Sequence, residues 1–445
     1  MRFILTLIGL VSAFAADRAV AADPAPTFTK DVAPILFQNC SSCHRPDEVG
    51  PFSLLTYEDA RKRAKQIARI TAKKIMPPWK PSEGREVFKD VRTLTTRQIA
   101  VLKAWADAGA PEGEAKDLPP APKFPEGWYL GEPDAVLKVS KPFKVPAEGP
   151  DVYVHFVLPL DYKEDKYLRA VQVRPSNRRV AHHGVPILDG SGTGRKLAAK
   201  HNGDHYPNFG GPGFIPRGFL PGYAPGQTTH LLADEQAGMT LGKGLDVVLQ
   251  MHYHPTGKEE IDQPRIGLYF TDKKPERNPN IIGLANNDVY IPAGQKAYKR
   301  VDSFELPVDF EVGNIWGHMH MIGKDVKVWA ELPNGKKKDL LHISDWDFNW
   351  QDTYRYRKPF VLPKGTVVKA EFSWDNTADN PRNPNSPPKL IKWGEGSADE
   401  MSGLIIGGVT VNPWDELGMW AAVIGHYFSV EANALEAKRL REAKR

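Results

Sequence analysis

Only two cysteines stand in the 445 residues, Cys40 and Cys43. If they are committed together to one task, no disulfide is left for the rest of the chain, which must then rest on hydrophobic burial and bound metal. Charge of one sign is also lacking: 59 Lys and Arg face 54 Asp and Glu, a net +5. So slight a balance, without a basic stripe interleaved with aromatics, excludes nucleic acid as an expected partner. Long apolar runs are missing too. Beyond the N-terminus no stretch approaches the ~20 apolar residues of a membrane-crossing helix, so no membrane span is expected. The N-terminus itself carries Arg2, an apolar stretch from Phe3 to Phe14, and small-residue sites at Ala13-Phe14-Ala15 and Ala19-Val20-Ala21. That pattern reads as a signal peptide over residues 1–22, and the mature chain is expected to be periplasmic or secreted.

The two cysteines belong to Cys40-Ser41-Ser42-Cys43-His44. This Cys-x-x-Cys-His spacing attaches a c-type haem, the thiols adding across the vinyl groups and the imidazole becoming the proximal iron ligand. A thioredoxin-like dithiol would instead sit in a βαβ pattern, whereas the flanks here read as helix. Met76 is the only methionine or histidine between His44 and His155. It is therefore the candidate second axial ligand, and a thioether there suits electron transfer. Helical signals run from Thr29 to about Gly113. Thr56 precedes Asp59 in a capping pattern ahead of Ala60, Ala64, Ile67, Ala68 and Thr71, and Thr95 with Gln98 repeats it ahead of Ile99, Leu102, Trp105 and Ala106. Gly109 is placed to close that helix. The stretch resembles the small single-haem cytochromes c over about ninety residues, which implies a small all-α domain at 23–115. An exported protein with covalent haem points to a bacterial periplasm.

Residues 116–128, with Pro119, Pro120, Pro122 and Pro125, read as a stiff extended linker. After it, β-branched or alternating runs such as Tyr153 to Val157, Leu245 to Met251, Val326 to Glu331 and Thr366 to Phe372 are separated by Gly, Pro, Asn and Asp. Short strands between frequent turns predict sandwiches or barrels. The polar stretch from Thr271 to Pro279 divides them into β domains at 129–275 and 276–430, and residues 431–445 read as a solvated basic helix.

Histidines in the β region come as local pairs: His182-His183, His252-Tyr253-His254 and His318-Met319-His320. Residues i and i+2 of a strand share a face, so His318 and His320 can converge on one metal. Adjacent His182 and His183 need a bulge or a strand end that turns one ring around. Spacing does not choose between His252 and His254. His201, His205 and His230 lie in a Gly/Pro-rich stretch and read as loop residues, with His230 a fallback ligand.

Four segments carry a family resemblance: Val180-Ala181-His182-His183-Gly184, Leu249 to Pro255, Gly317 to Lys324, and Asp399-Glu400-Met401. In order and interval they resemble the copper-dependent, ascorbate-type monooxygenases related to peptidylglycine α-hydroxylating monooxygenase and dopamine β-monooxygenase. The resemblance implies two jelly-roll-like β-sandwich domains and two copper ions. It assigns His182, His183 and His252 to an electron-supplying copper, and His318, His320 and Met401 to the copper where oxygen and substrate react. Thioether with imidazole suits copper cycling between its two oxidation states, and zinc rarely takes methionine.

The chain departs from the family in two respects. The family's disulfides cannot form here. The arginine, asparagine and tyrosine that grip a peptide carboxylate in the amidating enzyme are replaced by Trp316, Gly403 and Ile405. The carboxylate clamp is gone, and a more apolar or aromatic small molecule is expected. The implied reaction is hydroxylation of a C–H bond with O2. Each turnover consumes two electrons and a haem delivers one, so the fused haem acts as a built-in reductase. It is refilled by an external donor, a periplasmic redox protein or an ascorbate-like reductant. The alternative is a copper and haem electron relay without catalysis.

Overall fold

The computed structural model describes residues 24–443, apart from 47, 83–86, 125–126, 202, 209–210, 226–229, 232–237 and 395 and the side chains of 230 and 231. The signal-peptide expectation falls outside the described residues.

Helices between Phe28 and Ala110 pack together as one unit. A π-helical turn, Phe28–Val32, leads into the helix Ala33–Asn39. The single helix expected after Thr56 is two, Tyr57–Arg61 and Ala64–Ala72, broken at Lys62-Arg63. Thr56 caps the first by accepting from Asp59 N. Thr96–Asp107 follows a complete capping box between Thr95 and Gln98, satisfying donors that a helix start leaves orphaned. Gly109 adopts φ 85° just beyond its end, a conformation that favours glycine. Phe28, Leu36, Ile67, Leu102 and Trp105 share one small core.

The linker is neither wholly extended nor loose. It opens with a 3-10 turn, Ala115–Asp117. Trp128 at its end is buried, with the guanidinium groups of Arg174 and Arg265 at 5.5 and 5.6 Å from its ring.

Two antiparallel sandwiches follow. In the first, one sheet runs Ala135–Lys138, Arg265–Thr271, Lys166–Arg174, His230–Leu231, with Met239–Leu241 also on Lys166–Arg174. The facing sheet runs His205–Pro207, Val152–Pro159, Asp246–Tyr253, Ala181–Asp189, Gly218–Phe219. The period-2 pattern explains the packing. Val247, Leu249, Met251 and Tyr253 enter the core, so Val248, Gln250 and His252 face out.

In the second, Pro279–Ala285, Ser402–Thr410, Phe310–Met319 and Thr353–Leu362 face Tyr298–Glu305, Val367–Trp374, Gly323–Glu331 and Lys337–Ile343. A register shift at Gly313 lets Phe310, Val312 and Ile315 all reach the core. Past that bulge, Asn314, Trp316 and His318 point outward.

The stretch from 431 is the end of a longer helix, and its residues are mostly exposed. That helix spans Glu416–Ala443. Met419, Ala422 and Val423, spaced for one helix face, lie on the second core. His426 bonds Asp302 at 2.9 Å, and Arg441 pairs with Asp288.

Candidate metal centre

The outward faces of the two sandwiches meet, and the histidine pairs meet with them. His252 pairs across strands with His183, while the next residue, Tyr253, pairs with Ala181. His182 is therefore the extra residue of a β-bulge. The bulge turns adjacent rings to the same side, as the sequence requires of them. His182, His183 and His252 offer ring nitrogens that all lie within 4.8 Å of one another.

His252 is fixed from behind. Its Nε2 lies 3.0 Å from Asp151 Oδ2, and a carboxylate only accepts, so that nitrogen carries the proton. Its Nδ1 is left as an electron-pair donor, 3.3 Å from His182 Nδ1 and 3.3 Å from the Tyr153 hydroxyl. Two imidazole nitrogens bound to one first-row ion at about 2.0–2.1 Å and a tetrahedral angle stand about 3.3 Å apart. The spacing fits a shared metal. His254 does not join the cluster. Its Nδ1 bonds the other oxygen of Asp151 at 2.7 Å, which raises its pKa. Burial raises the Asp151 carboxyl, but the bonds from His252, His254 and Ser397 outweigh this and hold it well below the usual range.

The second group forms at the end of Phe310–Met319. The His318 and His320 rings are 5.0 Å apart. His318 gives Nδ1–H to the side-chain oxygen of Gln351, and His320 gives Nδ1–H to the carbonyl of Asp399 at 3.2 Å. Each leaves Nε2 free, the usual device by which an outer partner orients a ligand ring. Met401 comes to this end by register. His318 pairs with Gly403 and Met319 with Ser402, and Met401 is the next residue along. Glu400, fully buried, accepts from His320 N at 3.0 Å, Ile322 N at 2.8 Å and Trp374 Nε1 at 2.9 Å. Burial pushes its pKa up to about 8 despite these bonds.

The two groups are contiguous. The His183 and His318 rings are 5.9 Å apart, and Phe348 lies 4.6 Å from His182 and 5.7 Å from His320. Burial first, then the neighbouring rings, lowers His182 to about 3 and holds His183 and His320 well below the ordinary value. Burial lowers His318 to about 4 in spite of the Gln351 bond. These rings are neutral at pH 7, the state in which imidazole binds metal. The donor set of imidazoles with a nearby thioether fits copper.

Trp316 stacks on His318 at 5.6 Å and pairs with Ile405 on the neighbouring strand. Both are half-buried, and Gly403 adds no side chain opposite His318. Trp316 and Ile405 accordingly make the strand surface beside His318 apolar.

At the other end of the chain, Cys40, Cys43 and His44 lie in the turn that ends Ala33–Asn39, both thiols free. Burial, with Cys43 beside it, pushes the Cys40 thiol up to about 12, and burial raises Cys43. His44 Nδ1 bonds the Phe52 carbonyl at 3.1 Å, which orients the ring and leaves Nε2 as donor. A Cβ on Gly50 would come within 2.6 Å of the Cys43 carbonyl and 2.8 Å of His44 Nδ1, so this turn closes only around glycine. These residues fit covalent haem. Met76 is half-buried in the chain beyond Ala64–Ala72.

Sequence reasoning missed Asp151, Phe348 and Gln351, which lie far in sequence from the histidines they hold and carry no motif. His155 is buried against Tyr206, and His205 bonds Asp204 at 2.7 Å. Neither they nor His201 join the cluster, and the His230 side chain lies outside the described residues.

No protein-family model matches the sequence, and no curated protein does. Among solved structures, the chain is similar to the major capsid protein P2 from bacteriophage PM2, with 10% identity and TM-score 0.27 over 62% of this chain and 97% of that one. Infectious bursal disease virus VP2 gives 9% identity and TM-score 0.18, over 65% and 74%. A two-domain protein of unknown function from Bacteroides fragilis gives 10% and 0.17, over 57% and 85%. Likeness at this level carries no inference about what this chain does.

Proposed function

We propose that this chain is an exported, haem-linked copper monooxygenase that hydroxylates a C–H bond of a small apolar or aromatic molecule, one atom of O2 entering the product and the other leaving as water. The observation that carries this reading is the convergence of His182, His183, His252, His318 and His320 from two sandwiches on one site. Met401 stands at its His320 end. Two copper ions held by these residues would supply one-electron chemistry with O2.

The remaining residues act on protons, position and water. Asp151 keeps the His252 proton on Nε2, and Gln351 and the Asp399 carbonyl keep those of His318 and His320 on Nδ1. Trp316 and Ile405 offer the substrate an apolar wall beside His318, and Phe348 fills space that water would otherwise take between the ring groups. Cys40, Cys43 and His44 would hold haem c, with Met76 as the further residue offered to its iron, and an external periplasmic donor would refill it.

Oxygen uptake by haem-containing, copper-loaded protein against a panel of aromatic and aliphatic compounds tests the reading. Hydroxylated product matched to O2 consumed is the expected outcome. Bound copper with no substrate-coupled O2 uptake would leave an electron relay in its place.

A further inference from the structure

The positive charge of this chain is concentrated in one place. Residues 61–74 carry Arg61, Lys62, Arg63, Lys65, Arg69, Lys73 and Lys74 and no acidic residue. Taking these seven from the 59 Lys and Arg leaves 52 against 54 Asp and Glu, so the whole positive excess lies in this stretch. All of them but the half-buried Arg63 are exposed. Among the described residues, the cations between Phe28 and Ala110 that hold a carboxylate are Arg45, Lys80, Arg92 and Lys103, none of them from the stretch. Folding of the helical unit does not account for this face. Arg69 and Lys73 complement the dipole at the end of Ala64–Ala72, but Lys65 in its first turn opposes it. Lys65, Arg69 and Lys73 also stand four apart, where like charges repel.

The stretch reaches both residues proposed for the haem iron. The Arg63 guanidinium lies 3.9 Å from the centre of the Phe52 ring, and the Phe52 carbonyl bonds His44 Nδ1 at 3.1 Å. At the other end the chain folds back on the helix, Lys74 N bonding the Thr71 carbonyl at 2.9 Å and Ile75 N the Ile70 carbonyl at 3.0 Å. Lys73, Lys74 and Ile75 therefore stand directly before Met76. Ile75 is 45% exposed, an apolar contact inside a basic rim, the layout of an association surface. Ala64 and Ile67, the buried apolar residues of Ala64–Ala72, are taken up in the core of the unit. That leaves this helix no apolar face to lay into a membrane, and the stretch holds no aromatic side chain to stack on a base.

We infer that the basic face of residues 61–74 is the docking surface of an acidic electron-donor protein, which reduces the haem held by Cys40, Cys43 and His44. The inference rests on the haem assignment proposed above, and it selects a redox protein over a small ascorbate-like reductant as the donor. In the step the reduced donor loses one electron and ferric haem becomes ferrous. No bond is made. Opposite charge on the partner speeds the encounter, and salt removes that advantage.

Anaerobic stopped flow on oxidised, haem-containing full-length protein tests this, with haem reduction followed by absorbance. Two donors are compared: flavodoxin hydroquinone, an acidic protein, and hexaammineruthenium(II), a small cation. Reduction by flavodoxin should slow about tenfold or more between about 20 mM and about 500 mM salt. Lys65→Glu with Arg69→Glu should slow it about tenfold at low salt, while hexaammineruthenium(II) reduces that variant at least as fast as the parent. Lys243→Glu with Lys336→Glu makes the same change of charge on exposed residues of the sandwiches, and should alter the flavodoxin rate less than about twofold. A flavodoxin rate indifferent to salt, equal slowing by the two pairs, or equal slowing with both donors would each overturn the inference. So would a parental flavodoxin rate in the Lys65→Glu, Arg69→Glu variant, and if that variant at the same time loses binding to phosphatidylglycerol vesicles the face is a membrane contact instead. Each variant is checked by its haem spectrum. If the charge-reversed pair fails to fold, Lys65→Gln with Arg69→Gln decides, with a slowing of about threefold expected. Protein matured where haem is attached that carries no covalent haem would remove the haem reading itself, an outcome separate from those above.

Discussion

His182 and His252 face each other Nδ1 to Nδ1 across 3.3 Å, although they come from different strands and are 70 positions apart. With the His252 proton held on Nε2 by Asp151, that gap is filled by a proton or by a metal ion.

Metal content follows first. Protein matured where haem is attached should carry one covalent haem and two coppers per chain, by elemental analysis. A copper count of zero or one after reconstitution defeats the two-site arrangement. Stripping copper with a chelator should lower Tm, since these ligands are assembled only in the native state.

Met401→Leu separates ligation from packing. The exchange keeps volume and should cost less than about 1.5 kcal/mol of stability. Turnover should be lost with haem and fold retained. Hydroxylation at the parental rate would show that Met401 is no ligand.

Asp151→Ala removes the acceptor shared by His252 and His254. Loss of such an outer partner costs roughly 10–100-fold in metal affinity. A copper titration should therefore show one weakened and one unchanged site. Two parental affinities would mean that Asp151 does not orient His252.

Acid should unfold the metal-free protein early. In the native state burial lowers His182 to about 3 and His318 to about 4, and holds His183 and His320 well below the ordinary value. The unfolded chain takes protons on these rings below about pH 6.5 while the native state does not, so stability falls with pH by up to about 1.4 kcal/mol per pH unit for each ring. This loss runs from about pH 6.5 down to the native values. Urea midpoints between pH 7 and pH 4.5 measure it, and a flat profile would mean that the native rings take up protons freely.

Phe88→Ala tests how the helical unit is held. Phe88 is 1% exposed and contacts the rings of Trp79, Tyr354 and Tyr356. Truncation should cost about 3–5 kcal/mol and open the segment around it to proteolysis while the haem spectrum is kept. Parental stability and protection would show that the segment does not anchor the unit.

Much of the architecture was legible in local pattern. The capping pairs at Thr56 and Thr95, the glycine at 109 and the alternation of Asp246–Tyr253 are written within a few residues. The need for a bulge at His182-His183 was also legible, because adjacent strand residues cannot share a face. Its position was not. A one-residue shift against Asp246–Tyr253 is set by which partner strand arrives and in what register. The break at Lys62-Arg63 and the docking of Glu416–Ala443 likewise depend on what each helix meets.

By itself the sequence determined the chemistry on offer: a Cys-x-x-Cys-His turn, three histidine pairs, and no cysteine left for disulfides. These are matters of spacing along one stretch of chain, and short-range geometry settles them. Tertiary structure alone decided which donors share a site. It chose His252 over His254, brought His183 to 5.9 Å from His318, and set Asp151, Gln351 and Phe348 around them. The physical reason is that a strand's outward residues are free to face anything until another sheet is packed against them, and what packs there is chosen by core burial hundreds of residues away.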